Sequence, residues 1–275
     1  MGRGDRPFRV TALTELASAH SVTGSTTLGI DLSAQPRETA ASVIAWERPA
    51  RVVELTVGLD DDAIADLVSF HGPTKVAIDS PFGWPMPFVR AISEFTEAGT
   101  WSSGIERRPL LLRTTDLVVR EETGADPLSV SSNLLAICAM RCARLLVSLA
   151  HDKLDRTGAG LLVEVYPAAA MRQWGLDPRG YKGSKPEKVA KRRELVETIK
   201  AASSGWLDFR RKLEDELVRS DHHLDAFVSA IVGRAVETGQ TLPIPDSSHE
   251  VAAREGWIHL PQRRPLAALD PRVAA

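Results

Sequence analysis

Three apolar stretches of the chain each carry one acid where a hydrophobic residue would be less costly. Asp31 interrupts LGIDLS, Asp79 ends KVAID, and Glu164 sits within LLVEVY. A buried, unpaired carboxylate costs several kcal/mol, so each must be solvated, paired or bound to a cation. Two more acids open the stretch SDHHLDAFVSAIVGRAV, where Asp221 and Asp225 stand one helical turn apart at the mouth of an apolar helix. Carboxylates brought together repel one another unless a cation joins them, and an oxygen-only ligand set suits Mg²⁺ or Mn²⁺ rather than zinc. Two such ions about 4 Å apart activate a water and stabilise the leaving oxygen in phosphodiester cleavage, with no nucleophilic side chain required.

Each acid also has a plainer reading. Asp31 precedes Ser33-Ala34-Gln35-Pro36 and Asp79 precedes Ser80-Pro81, and turns are rich in Asp for ordinary hydrogen-bonding reasons. Glu164 has apolar neighbours on both sides, which argues against a turn but fits a buried partner for Arg113 or Arg172. Asp221 fits a helix N-cap, and the flanking His222 and His223 read as exposed or capping residues rather than ligands. Asp225 differs, because Ala226, Ser229 and Ala230 around it allow the helix to approach a sheet closely. Ser33 and Ser80 have no histidine–acid partner in view, so a serine hydrolase is poorly supported.

These residues need a scaffold. Apolar runs at Leu28 to Leu32, Ala41 to Trp46 and Val52 to Val57, broken by turn residues, predict three consecutive antiparallel strands. Asp60-Asp61-Asp62 caps a helix through Phe70, and KVAID forms a fourth strand. Helices are predicted at Pro87 to Thr96 and Ser131 to Ala150, with a partly irregular stretch between them. GLLVEVYP, nearly all apolar, predicts a central fifth strand. Helices then follow at Ala168 to Trp174, Glu187 to Ala202, Leu207 to Val218 and Asp221 to Glu237. The order predicts an α/β protein with a mixed five-stranded sheet flanked by helices. It comprises a flexible arm over residues 1–25, one domain over 26–261 with a helical insertion at about 86–158, and an irregular tail over 262–275.

The 275 residues are 43% apolar and 25% charged, enough for a real core. A net charge of −2 supplies no global attraction to nucleic acid, so such a substrate needs a local basic groove. The two cysteines, Cys138 and Cys142, lie one turn apart on a predicted helix and read as small buried hydrophobes. No segment is long and apolar enough for a membrane span, and the N-terminus lacks a signal-peptide core, so a cytoplasmic location is expected.

Asp31 on a first strand, Asp79 ending a fourth and Asp225 on a late helix together resemble the RNase H-like fold. The resemblance implies that these three acids hold divalent metal. Asp225-Ala-Phe-Val-Ser-Ala and the preceding His222 are similar to the acid helix of the Holliday-junction resolvase branch. More narrowly, GIDLSAQP, VAIDSPFGWP, LRTTD, VEVYPAAAMRQWG, GYKG, LDAF and EGWIHLP resemble, in order, the family called domain of unknown function 429, described as predicted nucleases. That resemblance implies Asp31, Asp79, Asp225 and, less directly, Glu164 as catalytic acids. It also gives functional weight to Arg113, Thr114 and Asp116 in LRTTD and to Lys182 in GYKG. Arg113 equally suits a buried ion pair with Asp116 or Glu164, and Lys182 a solvated loop position. The implied activity is a Mg²⁺- or Mn²⁺-dependent nuclease acting on DNA, RNA or a nucleotide-like ester. Two other classes stand beside it: an actin-like ATP-dependent phosphotransferase, and a non-catalytic nucleic-acid or protein binding module.

Overall fold

The computed structural model describes residues 24–101, 104, 106–150 and 154–272; the arm predicted over residues 1–25 falls outside them except for Gly24 and Ser25. Six strands form one mixed sheet: β1 (Thr26–Asp31), β2 (Ala40–Ala45), β3 (Ala50–Val57), β4 (Lys75–Asp79), β5 (Leu162–Glu164) and β6 (Leu207–Asp208), in the order β5-β4-β1-β2-β3-β6. The first three pair antiparallel, as the spacing of turn residues predicts, while β4 and β5 add parallel on the other side of β1. The sheet therefore has one strand more than the predicted five. The addition is β6, which pairs parallel with β3 through Ala50 and Arg51 inside a stretch predicted as continuous helix.

Among the described residues, ten α-helices flank the sheet: α1 (Asp61–His71), α2 (Met86–Ala98), α3 (Arg107–Leu111), α4 (Thr114–Thr123), α5 (Leu135–Leu149), α6 (Pro167–Gln173), α7 (Pro186–Ala202), α8 (Arg211–Arg219), α9 (Asp221–Glu237) and α10 (His249–Glu255). α3 and α4 fill much of the stretch expected to be partly irregular. The tail carries a 3₁₀ turn, Leu266–Leu269, whose Leu266 and Leu269 are buried in the core.

Side-chain alternation along the strands divides the interior into two layers. Leu28, Ile30, Val43, Val76 and Ile78 pack with Ile64 of α1 and Leu145 and Leu146 of α5. Ile44, Trp46, Ala77 and Val163 face the opposite way, toward Phe227, Val228 and Ile231 of α9. α9 is buried on nearly every face, because the sheet lies on one side of it and α6 and α8 on others.

Its approach to β1 is close enough to fix the site. A Cβ on Gly29 would lie 2.1 Å from the Ala226 carbonyl oxygen and 2.2 Å from the Ala230 nitrogen. Only glycine fits that crossing. Two residues earlier, the Thr27 hydroxyl donates to the Ala230 carbonyl oxygen at 2.8 Å and accepts from the Trp46 indole at 2.8 Å. Among the described residues, no helix is long and apolar enough to cross a membrane.

Candidate functional site

Asp31 and Asp79 are register partners at the ends of the parallel strands β1 and β4. Alternation puts Asp31 on the same face as Thr27 and Gly29, and Asp79 on the same face as Ala77, so both point to the side covered by α9. The close α9–β1 crossing carries Asp225, one residue before Ala226, to the same strand ends. One carboxylate oxygen from each of Asp31, Asp79 and Asp225 lies within 4.8 Å of the others. Asp225 is 1% exposed, while Asp31 and Asp79 are partly open.

The surroundings of the three acids are unequal. Tyr181 donates its hydroxyl to Asp225 Oδ1 at 2.5 Å, and the Lys182 ammonium stands 2.7 Å from Asp225 Oδ2. His222 Nδ1 lies 2.6 Å from Asp31 Oδ2. Asp79 accepts no side-chain hydrogen bond among the described residues. Burial pushes the Asp79 carboxyl well above its ordinary range; Lys182 opposes the rise, and the charges of Asp31, Asp225 and Glu164 add to it. Burial likewise raises Asp225, against the pull of Lys182. Desolvation would lower the Lys182 ammonium, but Asp225, Asp79 and Asp31 outweigh it and hold the group protonated. The hydrogen bond to Asp31 raises His222, with burial opposing.

The GYKG loop owes its position to Arg192, a fully buried guanidinium that stands 4.0 Å from the Asp221 carboxylate. It donates to the carbonyl oxygens of Tyr181 (2.6 Å), Gly183 (2.7 Å), Val218 (2.9 Å) and Arg219 (3.2 Å). Asp221 accepts from the Gly183 N–H at 3.0 Å, so it braces this loop. The N-cap of α9 is Ser220, whose hydroxyl accepts from the His223 N–H, in place of the expected Asp221.

Glu164 and the LRTTD residues form a second cluster. Arg113, 2% exposed, donates to Asp116 through Nε and Nη2 (3.2 and 2.9 Å). It also meets Glu164 through Nη1 and Nη2 (3.0 and 2.8 Å) and the Glu255 carbonyl oxygen at 3.1 Å. Its donors are thus spent on protein, and the ion-pair reading of Arg113 is the one its contacts match. Asp116 also accepts from the Arg113 backbone N–H at 2.8 Å, closing the N-terminus of α4. Glu164 Oε2 accepts from the Phe82 N–H at 3.0 Å, which ties β5 to the loop leaving Asp79. Glu255, buried in EGWIHLP, accepts from the Met86 N–H (2.7 Å) and the Thr114 N–H (2.8 Å) and so caps α2 and α4 together. The structure thus separates the expected residues. Asp31, Asp79, Asp225 and Lys182 converge, while Glu164, Arg113, Thr114 and Asp116 build the support beneath one strand end.

Sequence reasoning passed over Tyr181, Arg192 and Glu255 and read His222 as exposed or capping. The signals were thin: a tyrosine beside Lys182, an arginine on a charged helix, and an acid in a late motif. Cys138 and Cys142 are free thiols; Cys142 is buried as expected, whereas Cys138 is only half-buried.

Three carboxylates converge here, and among the described residues Asp79 accepts no side-chain hydrogen bond; an oxygen-only set of this kind suits a hard divalent cation. Fold and site define an α/β protein whose mixed, six-stranded sheet holds an acidic triad at the ends of two parallel strands. The chain belongs to the family of proteins of unknown function DUF429, whose profile matches residues 29–250. No curated protein and no solved structure matched it.

Proposed function

We propose that the protein is a metal-dependent phosphodiester hydrolase of the RNase H-like type, acting on DNA, RNA or a nucleotide-like ester. The observation that carries this reading is the convergence of Asp31, Asp79 and Asp225 within 4.8 Å at adjacent parallel strand ends. Three antiparallel strands followed by parallel fourth and fifth strands, with acids on the first, the fourth and a late helix, support the same assignment.

The site formed by Asp31, Asp79 and Asp225 would take Mg²⁺ or Mn²⁺, with Asp31 and Asp79 offering the carboxylate oxygens that no protein cation occupies. When bound, such an ion lowers the pKa of a water and offsets charge on the phosphoryl oxygens. The chain's own groups complete the site. The Lys182 ammonium, half exposed and beside the triad, is placed to meet a phosphate oxygen. His222 orients the Asp31 carboxylate, and Tyr181 fixes Asp225. Glu164 acts at one remove, holding the loop after Asp79 through the Phe82 N–H.

The test is cleavage of single- and double-stranded DNA and RNA by the purified chain with Mn²⁺ or Mg²⁺. Cleavage that chelation stops and that falls by at least about 100-fold in Asp31→Asn supports the reading. Absence of cleavage across the panel, or an undiminished variant, contradicts it. Nucleic-acid binding that survives both chelation and Asp31→Asn would instead mark a binding module.

A further inference from the structure

The triad is already partly neutralised by the chain itself. Tyr181 and Lys182 occupy both oxygens of Asp225, at 2.5 and 2.7 Å, and His222 occupies Oδ2 of Asp31. Asp31 Oδ1 and both oxygens of Asp79 are left without a side-chain partner among the described residues. The ammonium does not arrive on a loose segment. Gly180 and Gly183 turn the loop through positive φ of 78° and 114°, Arg192 grips the carbonyl oxygens of Tyr181 and Gly183, and Asp221 takes the Gly183 N–H.

Charge balance gives this arrangement a consequence. Three carboxylates and one ammonium leave a deficit that a single divalent ion cancels; two ions would leave the pocket strongly positive.

We infer that Lys182 fills one cation position of the triad, so that the native site takes a single divalent ion on Asp31 and Asp79, and Asp225 accepts a second ion only when Lys182 is removed. This rests on the metal-binding reading above. The site would then combine one ion with a fixed ammonium, and Lys182 would be a positioning and charge-setting residue for a phosphate-bearing substrate.

The experiment counts ions rather than turnover. Full-length wild type, Lys182→Met, Lys182→Gln and Lys182→Arg are titrated with Mn²⁺, and free Mn²⁺ is followed by electron paramagnetic resonance, with circular dichroism confirming the fold of each variant. The expected result is one ion per chain for wild type and Lys182→Arg, and two for Lys182→Met and Lys182→Gln. Two ions on wild type, or no gain in either neutral variant, overturns the inference while leaving metal binding intact. No binding by any form overturns both the inference and the metal-binding reading.

Discussion

Gly29 of β1 and Ala230 of α9 meet backbone to backbone: a Cβ on the glycine would stand 2.2 Å from the Ala230 nitrogen. That contact sets the height of α9 over the sheet and so the place of Asp225 beside Asp31. Gly29→Ala must therefore push the helix outward, since neither neighbour is a flexible side-chain end. The expected cost is about 3 kcal/mol, read by urea denaturation, and metal binding weakens with it. A variant within about 0.5 kcal/mol of wild type would show that the helix does not sit this close.

Arg113 separates a structural role from a substrate contact. Removing it leaves Glu164 and Asp116 buried without a counter-charge, so Arg113→Met is expected to lose about 3–5 kcal/mol of stability. Arg113→Lys recovers only part of this, because one ammonium cannot serve the two carboxylates and the Glu255 carbonyl that the guanidinium fork reaches. Wild-type stability in Arg113→Met, joined to lost substrate binding, would restore the phosphate-contact reading.

Asp79 carries opposite effects on stability and on metal binding. Its folded-state pKa is raised, chiefly by burial. Ionisation therefore favours the unfolded chain as pH climbs from about 3.9, the ordinary Asp value, toward the raised folded value. Asp79→Asn removes that penalty and should raise metal-free stability at pH 7. The same variant should lose the increase in melting temperature that Mn²⁺ gives wild type. Paired thermal melts, with chelator and with Mn²⁺, read both effects; a variant that keeps the Mn²⁺ shift contradicts the ligand role.

His259 gives a pH signature away from the site. Its Nε2 lies 2.9 Å from the Thr157 carbonyl oxygen, the ring is 7% exposed, and burial lowers its pKa. The unfolded chain then takes up its proton first as pH falls through about 6.5, so stability drops below that value and levels off below the folded pKa. His259→Gln should flatten part of the decline between pH 7 and pH 5 in denaturation midpoints. An unchanged slope would mean that the ring protonates freely in the folded state.

The acids of the site were legible because each violates a local pattern: Asp31 and Asp79 end apolar strands, and Asp225 sits among small residues on an apolar helix. The antiparallel opening of the sheet was legible for a similar reason, since turn residues punctuate its strands. β6 was not, because two residues cannot display alternation, and its pairing depends on Ala50 and Arg51 far away in the chain. The contact of His222 with Asp31 spans 191 positions, and Glu255 reaches Met86 and Thr114 across 169 and 141. Such partners are chosen by the folded geometry, which leaves no periodic trace. Arg113 shows the remaining limit: a lone arginine in LRTTD looks alike whether it meets phosphate or closes a buried network.

Anomalous diffraction from crystals soaked in Mn²⁺ tests the central claim most directly. The account predicts a peak within ligand distance of Asp31 and Asp79, with Lys182 still on Asp225. An ordered triad with no peak at saturating Mn²⁺ would contradict it.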